Sequence, residues 1–168
     1  MAATKDFKGK LLISNTDGEN LGEIKDVFLS RDATQIVAVF LGKTGILNRK
    51  AQLIDWKKVA LFGTDAWLIA GSDTVKNQDE FDGGEEFINA YDLRGREIQT
   101  DGGSKIATVG DVIVDSAGKV VGFTLDKVYA EGPLSHSQQI ARAAIFNLGD
   151  KSQPMITVLE QAETLKLQ

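Results

Sequence analysis

The strongest constraint on the fold of this chain is an internal repeat with an offset of about 85 residues. Residues 21–29 (LGEIKDVFL) recur as residues 106–114 (IATVGDVIV), with apolar positions aligned and one Asp at the same place in each copy. After a one-residue gap the match continues, with residues 36–43 aligned to residues 120–127. Solenoid repeats are about 20 to 50 residues long, so this longer period predicts two small domains in tandem.

The repeat divides the 168 residues into two copies of similar size. We predict a first copy at residues 8–74, a linker at residues 75–91, a second copy at residues 92–160 and a C-terminal tail at residues 161–168. Domains of this size bury only about 60% of their unfolded surface. We therefore expect them to gain stability by packing on each other or on other chains.

The linker between the copies is acidic and contains two adjacent glycines. Residues 71–92 carry seven Asp or Glu side chains against one Lys, and the whole chain has a net charge of −5. Around Gly83-Gly84 this composition is typical of a solvated, flexible segment with self-repelling charges. An acidic docking strip or a cation site is the alternative, although the Asp-x-Asp-x-Asp-Gly spacing of a calcium loop is missing.

The pattern within each copy predicts an all-β fold. Short runs rich in β-branched and aromatic residues are separated by turn signals such as Asp17-Gly18. Strands at intervals of about eight to twelve residues favour a small antiparallel β-barrel in each copy. Residues 159–168 are compatible with a short C-terminal helix.

The motif Gly-x-Ile-x-Asp-Val, followed by a hairpin and a last pair of strands, resembles the PRC-barrel family. The motif occupies residues 22–27 and, with Ala107 in place of the Gly, residues 107–112. The family includes the cytoplasmic part of the H subunit of bacterial photosynthetic reaction centres and the C-terminal domain of a small-subunit ribosome maturation factor. The resemblance implies two PRC-type barrels in tandem, as in free-standing bacterial proteins of this kind. It implies no particular chemistry, because packing and turn residues define the family.

Within the motif, Gly22, Asp26 and Asp111 are candidates for a specific role. We interpret them as structural, because an Asp inside a strand can accept hydrogen bonds from a neighbouring turn and fix the strand register. The alternative is a pair of catalytic carboxylates, which would have to meet in one cleft, about 5 to 9.5 Å apart for glycosidase-type chemistry. Nothing in the sequence brings the two Asp residues together.

Residue types suited to catalysis or metal binding are scarce. The chain has no Cys and a single His, His136, which argues against the usual zinc sites and against a catalytic triad. The glycine-rich residues 101–105 lack the spacing of a phosphate-binding loop. We therefore predict no catalytic residue, no metal site and no cofactor.

Two groups of residues are candidates for binding a partner. The basic group would contact a polyanion, or else form an ordinary solvated surface; it consists of Lys43, Arg49, Lys50, Lys57 and Lys58. The apolar group would either dock a protein or close one end of a barrel; it consists of Ile46, Leu47, Leu53, Ile54 and Trp56 in the first copy and Pro133, Leu134 and Ile140 in the second.

These features support three hypotheses about function. The first is a non-enzymatic protein-interaction or assembly module that binds a partner protein or an identical chain. The second is a ribosome- or RNA-associated maturation factor, and the third is an enzyme with a site between the barrels. The sequence shows no export signal and no run of about 20 apolar residues, so we expect no membrane span and a cytoplasmic location.

Overall fold

The computed structural model describes residues 1–168 and divides them into two compact units. The N-terminal unit comprises Lys5–Arg31 and Ile36–Asn89. The C-terminal unit comprises Met1–Thr4, Asp32–Gln35 and Ala90–Gln168. Each unit therefore contains most of one sequence copy, and the C-terminal unit also includes Asp32–Gln35 from the first copy and the Met1–Thr4 segment that precedes it.

Regular structure consists of β-strands, short 3-10 turns and one helix. The strands before residue 90 are β1 (Ala2–Ala3), β2 (Leu11–Ser14), β3 (Asn20–Glu23), β4 (Asp26–Leu29), β5 (Ile36–Thr44), β6 (Lys50–Asp55), β7 (Val59–Phe62), β8 (Ala66–Ile69), β9 (Val75–Asn77) and β10 (Ile88–Asn89). The later elements are β11 (Glu97–Thr100), β12 (Lys105–Val114), β13 (Val120–Val128), β14 (Gln139–Ala141), β15 (Ile145–Asn147), β16 (Met155–Thr157) and α1 (Leu159–Thr164). The predictions of an all-β fold and of a short C-terminal helix are confirmed. This helix is too short to cross a membrane.

Two sheets form the N-terminal unit. One has the strand order β10-β4-β5-β6-β9, and the other has the order β3-β2-β8-β7. Leu12 and Trp67 of the four-stranded sheet form a buried cluster with Val39 and Ile54 of the five-stranded sheet. Ile24, at the crossing from one sheet to the other, belongs to the same cluster. The main core of this unit therefore lies between its two sheets.

The first copy of the motif lies where the chain leaves one sheet and enters the other, between β3 and β4. Gly22 has a φ of +136°, and a Cβ there would lie 3.0 Å from the Leu41 side chain. Such a backbone conformation favours glycine. In the second copy β12 runs through the motif without a break, and Ala107 is buried within it. This continuity explains why the second copy does not need the glycine.

The segment predicted as a flexible linker is a structured part of the N-terminal unit. Strand β9 pairs with β6, and β10 pairs with β4. Between these strands, the ring centroids of Phe81 and Phe87 lie 5.9 Å apart, and both rings pack against the buried cluster that contains Phe28 and Leu53. The acidic side chains of residues 79–86 are exposed, while the two Phe side chains cover the second face of the five-stranded sheet.

One large sheet forms the C-terminal unit, with the strand order β14-β13-β12-β11-β16-β15 and β1 added on β12. None of the three sheets of the protein closes on itself through strand pairing. The prediction of purely antiparallel barrels is wrong in one respect, because β2 pairs with β8 and β11 with β16 in parallel. In each copy the last strand returns from a hairpin and runs beside the first strand in the same direction.

A short strand that precedes each copy in sequence completes a sheet formed by the other copy. Strand β1 pairs with β12 in the C-terminal unit, with Ala2 opposite Val114. Strand β10 pairs with β4 in the N-terminal unit, with Ile88 opposite Leu29. The hairpin end at Asp32–Gln35 also belongs to the C-terminal unit, where Arg142 donates hydrogen bonds to the carbonyl oxygens of residues 32 and 33.

Candidate functional site

The outer face of the four-stranded sheet carries three aliphatic side chains in line, which we call the apolar row. The register places Leu61 of β7 opposite Leu68 of β8, and Leu68 opposite Ile13 of β2. Cross-strand partners share one face of a sheet. Leu61 is 56% exposed, Leu68 and Ile13 are half-buried, and their strand neighbours Leu12 and Trp67 are buried on the opposite face. The row ends at β7, which is an edge strand.

Four aromatic rings support the inner face of the same sheet. The ring centroid of Trp67 lies 5.0 Å from that of Phe7, 4.8 Å from that of Phe62 and 5.7 Å from that of Trp56, and each pair is edge-to-face. Aromatic pairs of this geometry stabilise a core beyond the area that they bury. The strands that carry the apolar row are therefore packed on their inner face against this ring cluster.

The C-terminal unit has polar residues at two of the three equivalent positions. Its strands β15, β16 and β11 repeat the pairing of β7, β8 and β2, with Asn147 opposite Ile156 and Ile156 opposite Gln99. Asn147 therefore stands where Leu61 does, and Gln99 stands where Ile13 does. Because the pairing is the same and the side chains differ, the apolar row is a property of the N-terminal unit and not a requirement of the fold.

The apolar group predicted in the first copy is divided between surface and core. Ile46 and Leu47 are 97% and 94% exposed, at the end of the β5–β6 hairpin. Leu53 and Ile54 are fully buried in β6, so they do not belong to a docking surface. Both residues lie within β6, a strand paired on both sides, with β5 and with β9, which is why they reach the core. Trp56 is half-buried in the ring cluster.

The corresponding group in the second copy is also mostly buried. Leu134 and Ile140 are 1% exposed, so they too are excluded from a docking surface. Leu134 lies in a 3-10 turn and Ile140 in β14, which pairs with β13. Pro133 is exposed, as is His136 at the end of the same turn.

The basic group does not form one continuous surface. Lys43, Arg49 and Lys50 lie at the free end of the β5–β6 hairpin, whereas Lys57 and Lys58 follow the other end of β6. Six strand residues between the two sets span about 20 Å at roughly 3.3 Å per residue. Lys50 is also engaged, because its Nζ lies 2.9 Å from an Asp79 carboxylate oxygen. The hydrogen bond to Asp79 and the charge of this carboxylate raise the pKa of Lys50.

The Asp of the motif holds a buried polar network in the C-terminal unit. Asp111 has no exposed surface, and its Oδ1 accepts hydrogen bonds of 2.8 Å from Arg94 Nε, Thr4 Oγ1 and the Val112 amide. Arg94 Nη2 also donates to the Thr4 hydroxyl at 3.0 Å. In the N-terminal unit, Asp26 accepts a bond of 2.9 Å from the next amide in the same way. These bonds fit the structural interpretation of both Asp residues.

A family model for the PRC-barrel domain matches residues 1–74 and 85–130. The two matched segments include both copies of the motif and cover well over half of the chain. The chain belongs to the PRC-barrel family. The resemblance seen in the motif is thereby confirmed for this PRC-barrel protein, and no curated protein sequence matches it.

The PRC-barrel protein has an open polar cleft of about 650 Å³ in its C-terminal unit, lined by residues 91–92, 94–97, 99 and 150–154. Arg96 donates hydrogen bonds of 3.1 Å to the carbonyl oxygens of Leu148 and Asp92, and partial burial lowers its pKa. Asp150 accepts bonds from the amide and hydroxyl of Ser152. Arg96 and Asp150 thus stabilise the loops around the cleft. No group of three or more Asp, Glu or His side chains is placed to hold a metal ion.

Sequence reasoning missed the apolar row of this PRC-barrel protein, although a signal for it exists. A strand with one solvated face alternates apolar and polar residues. Strands β2 (LLIS), β7 (VALF) and β8 (AWLI) are instead apolar at successive positions. Strand β11 (EIQT), the counterpart of β2, alternates, whereas the counterparts of β7 and β8, β15 (IFN) and β16 (MIT), each begin with two apolar residues. Comparing β2 with β11 would therefore have indicated a second apolar face on the first of these two strands.

Proposed function

We propose that this PRC-barrel protein is a non-enzymatic interaction module that binds another protein chain through the apolar row. The observation that carries the proposal is the alignment of Leu61, Leu68 and Ile13 across three strands up to an open sheet edge. Each Å² of apolar surface removed from water stabilises a complex by roughly 25 cal/mol before the costs of association. A partly exposed aliphatic row, with polar residues at two of the three matching positions of the other copy, is the kind of surface that binds a partner.

The form of the surface favours a protein as the ligand. Small-molecule sites are concave, whereas the apolar row lies along the outer face of a sheet and reaches its edge. The edge strand β7 also leaves backbone N–H and C=O groups on its outer side without a neighbouring strand in this unit. Such an edge can pair with a strand of a partner, while the side chains of its outer face pack against the same partner.

In this proposal each unit corresponds to one PRC-type barrel, and only the N-terminal unit contributes the apolar row. The family match over residues 1–74 and 85–130 supports two related domains. The division of the basic residues into two sets weighs against the alternative of an RNA-binding maturation factor, which would present a continuous basic surface.

Exchange of residues between equivalent positions of the two units gives a direct test. We expect Leu61→Asn and Ile13→Gln, which install the side chains found at the same positions of the C-terminal unit, to reduce partner capture at least about tenfold. Stability should change by less than about 1 kcal/mol because both side chains lie on the outer face. Quantitative mass spectrometry of proteins cross-linked to the tagged chain, with sedimentation velocity to detect self-association, measures the effect.

Phe146→Asn is the matched control for Leu61→Asn. Phe146 lies on the edge strand β15 of the C-terminal unit and is 58% exposed, close to the 56% of Leu61. Its replacement should leave partner capture unchanged. Equal loss of capture with both variants, or full capture by Leu61→Asn, would show that the apolar row is not the interface.

A further inference from the structure

The free end of the β5–β6 hairpin, which we call the hairpin apex and which comprises residues 43–50, is unlike any other surface of the protein. All eight of its residues are exposed. Ile46 and Leu47 are the two most exposed large apolar side chains in the chain, at 97% and 94%. Neither side chain contributes to a core, and neither belongs to the apolar row. Their exposure is therefore not explained by the fold or by the proposed function.

The backbone of the apex presents this aliphatic pair outward. Gly45 has a φ of +100°, and a Cβ on it would lie 2.9 Å from the carbonyl oxygen of Asn48. The chain is thus tightly turned between Gly45 and Asn48, and only a glycine fits at the first of these positions. Ile46 and Leu47 occupy the middle of the turn, at the far end of two paired strands.

Cations lie directly behind the aliphatic pair on both strands. Lys43 precedes Ile46 by three residues, and Arg49 follows Leu47 by two. At roughly 3.3 Å per residue these charges lie at most about 7 to 10 Å behind the apex. The apex contains three cations and no acidic residue. Two carboxylates interact with Lys50: Asp79 forms an ion pair with it, and Glu80 acts on it through its charge.

We propose that the hairpin apex binds to the surface of an anionic lipid bilayer. Apolar side chains of interfacial segments enter about 5 to 10 Å into the boundary between headgroups and acyl chains. This depth matches the spacing between the aliphatic pair and the cations, so Lys43 and Arg49 would lie level with the lipid phosphates while Ile46 and Leu47 enter the apolar boundary. Negative lipid headgroups complement the positive charge of the apex.

The same observations disfavour the other two classes of partner for this site. A stable protein interface buries about 800 Å² on each side, and a turn with two protruding side chains offers far less. Single-stranded RNA is bound by stacking of bases on aromatic rings, and residues 43–50 include none.

Vesicle flotation of the full chain tests the proposal. We expect binding to vesicles of 70% phosphatidylcholine and 30% phosphatidylglycerol, much weaker binding to vesicles of phosphatidylcholine alone, and weaker binding at high salt. The double variant Ile46→Ser with Leu47→Ser should lower the partition coefficient at least about tenfold, because two aliphatic side chains no longer leave water. Equal binding of this variant and the unmodified chain would overturn the proposal.

The charges of the apex have a matched control in the 3-10 turn that follows β6. We expect the double variant Lys43→Gln with Arg49→Gln to reduce binding to the anionic vesicles by about fivefold for each charge removed. The double variant Lys57→Gln with Lys58→Gln removes the same charge beyond the other end of β6 and should bind normally. An equal loss with both pairs would mean that net charge, and not the apex, determines binding.

A single label reports insertion without removing the site. The chain contains no Cys, so Leu47→Cys accepts a polarity-sensitive dye at one position. Its emission should shift to shorter wavelength when the anionic vesicles are added, and dye at Lys57→Cys should not respond. No shift at residue 47, or binding of a single-stranded RNA oligonucleotide through Lys43 and Arg49 in place of vesicles, would contradict the proposal. Leu61→Asn should retain vesicle binding, which separates this site from the apolar row.

Discussion

Replacement of Arg94 by Met is expected to destabilise the C-terminal unit by about 3 to 5 kcal/mol. Asp111 is completely buried, and the Arg94 side chain beside it is 21% exposed. Removing one partner of a buried ion pair leaves a charge without compensation in a medium of low dielectric constant. The Thr4 hydroxyl would lose a hydrogen bond at the same time, because it accepts from Arg94.

The exposed ion pair between Lys50 and Asp79 provides the control. Its N–O distance of 2.9 Å is close to the 2.8 Å of the Arg94–Asp111 pair, but its side chains are 51% and 60% exposed. Exposed pairs contribute between about 0 and 1 kcal/mol, so Lys50→Met should have little effect. The contrast separates the effect of burial from that of the ion-pair distance.

Hydrogen exchange is the suitable measurement for this pair of variants. Both Trp residues, Trp56 and Trp67, belong to the N-terminal unit, so tryptophan fluorescence does not report directly on the C-terminal unit. Amide protection in β12 and β13 gives the free energy of local opening around Asp111. We expect this protection to fall sharply in Arg94→Met. Unchanged protection would show that the network does not hold these strands.

Replacement of Trp67 by Ala is expected to lower the free energy of unfolding of the N-terminal unit by about 3 to 5 kcal/mol. Trp67 is 2% exposed and contacts three other rings, so its removal costs the transfer energy of the side chain and leaves a cavity. Phe62→Ala should cost less, because Phe62 is 46% exposed. Urea denaturation followed through the fluorescence of Trp56, which both variants keep, measures the two effects. Equal urea midpoints for Trp67→Ala and Phe62→Ala would contradict the larger contribution of Trp67 to the stability of this core.

Local sequence signals were sufficient to predict the all-β fold and the family. The two Asp residues align because each accepts a hydrogen bond from the next amide within a strand. The Gly at position 22 and the Ala at position 107 also follow from local geometry, since the backbone has a positive φ at the first, shortly before the break between β3 and β4, and β12 continues through the second. Such features depend on a few residues that are neighbours in sequence, so they can be predicted from a short stretch of the chain.

Pairing between distant segments was not predictable in the same way. The parallel pairs β2–β8 and β11–β16 join strands more than fifty residues apart, and β1 pairs with a strand over one hundred residues away. No local pattern encodes these partners. The prediction of a flexible linker was wrong for a related reason. It rested on the acidic composition of the segment, whereas Phe81 and Phe87 within the segment cover a sheet face formed by other parts of the chain.

The candidate site shows the same division between local and non-local information. Exposure of Ile46 and Leu47 is consistent with their place in a turn, whereas Leu53 and Ile54 were grouped with them only by proximity in sequence. The apolar row joins residues 13, 61 and 68, which no window of sequence contains together. Its single sequence signal is the lack of alternation in three separate strands.

Direct contact at the apolar row is the central claim, and site-specific photo-cross-linking tests it most directly. A photoreactive phenylalanine analogue is placed at position 61 of the tagged chain in its own cells, and at position 146 of a second chain as the control. We predict a covalent adduct with another protein chain from position 61 and none from position 146. Absence of any adduct from position 61, or the same adducts from both positions, would contradict the assignment of this sheet face as the interface.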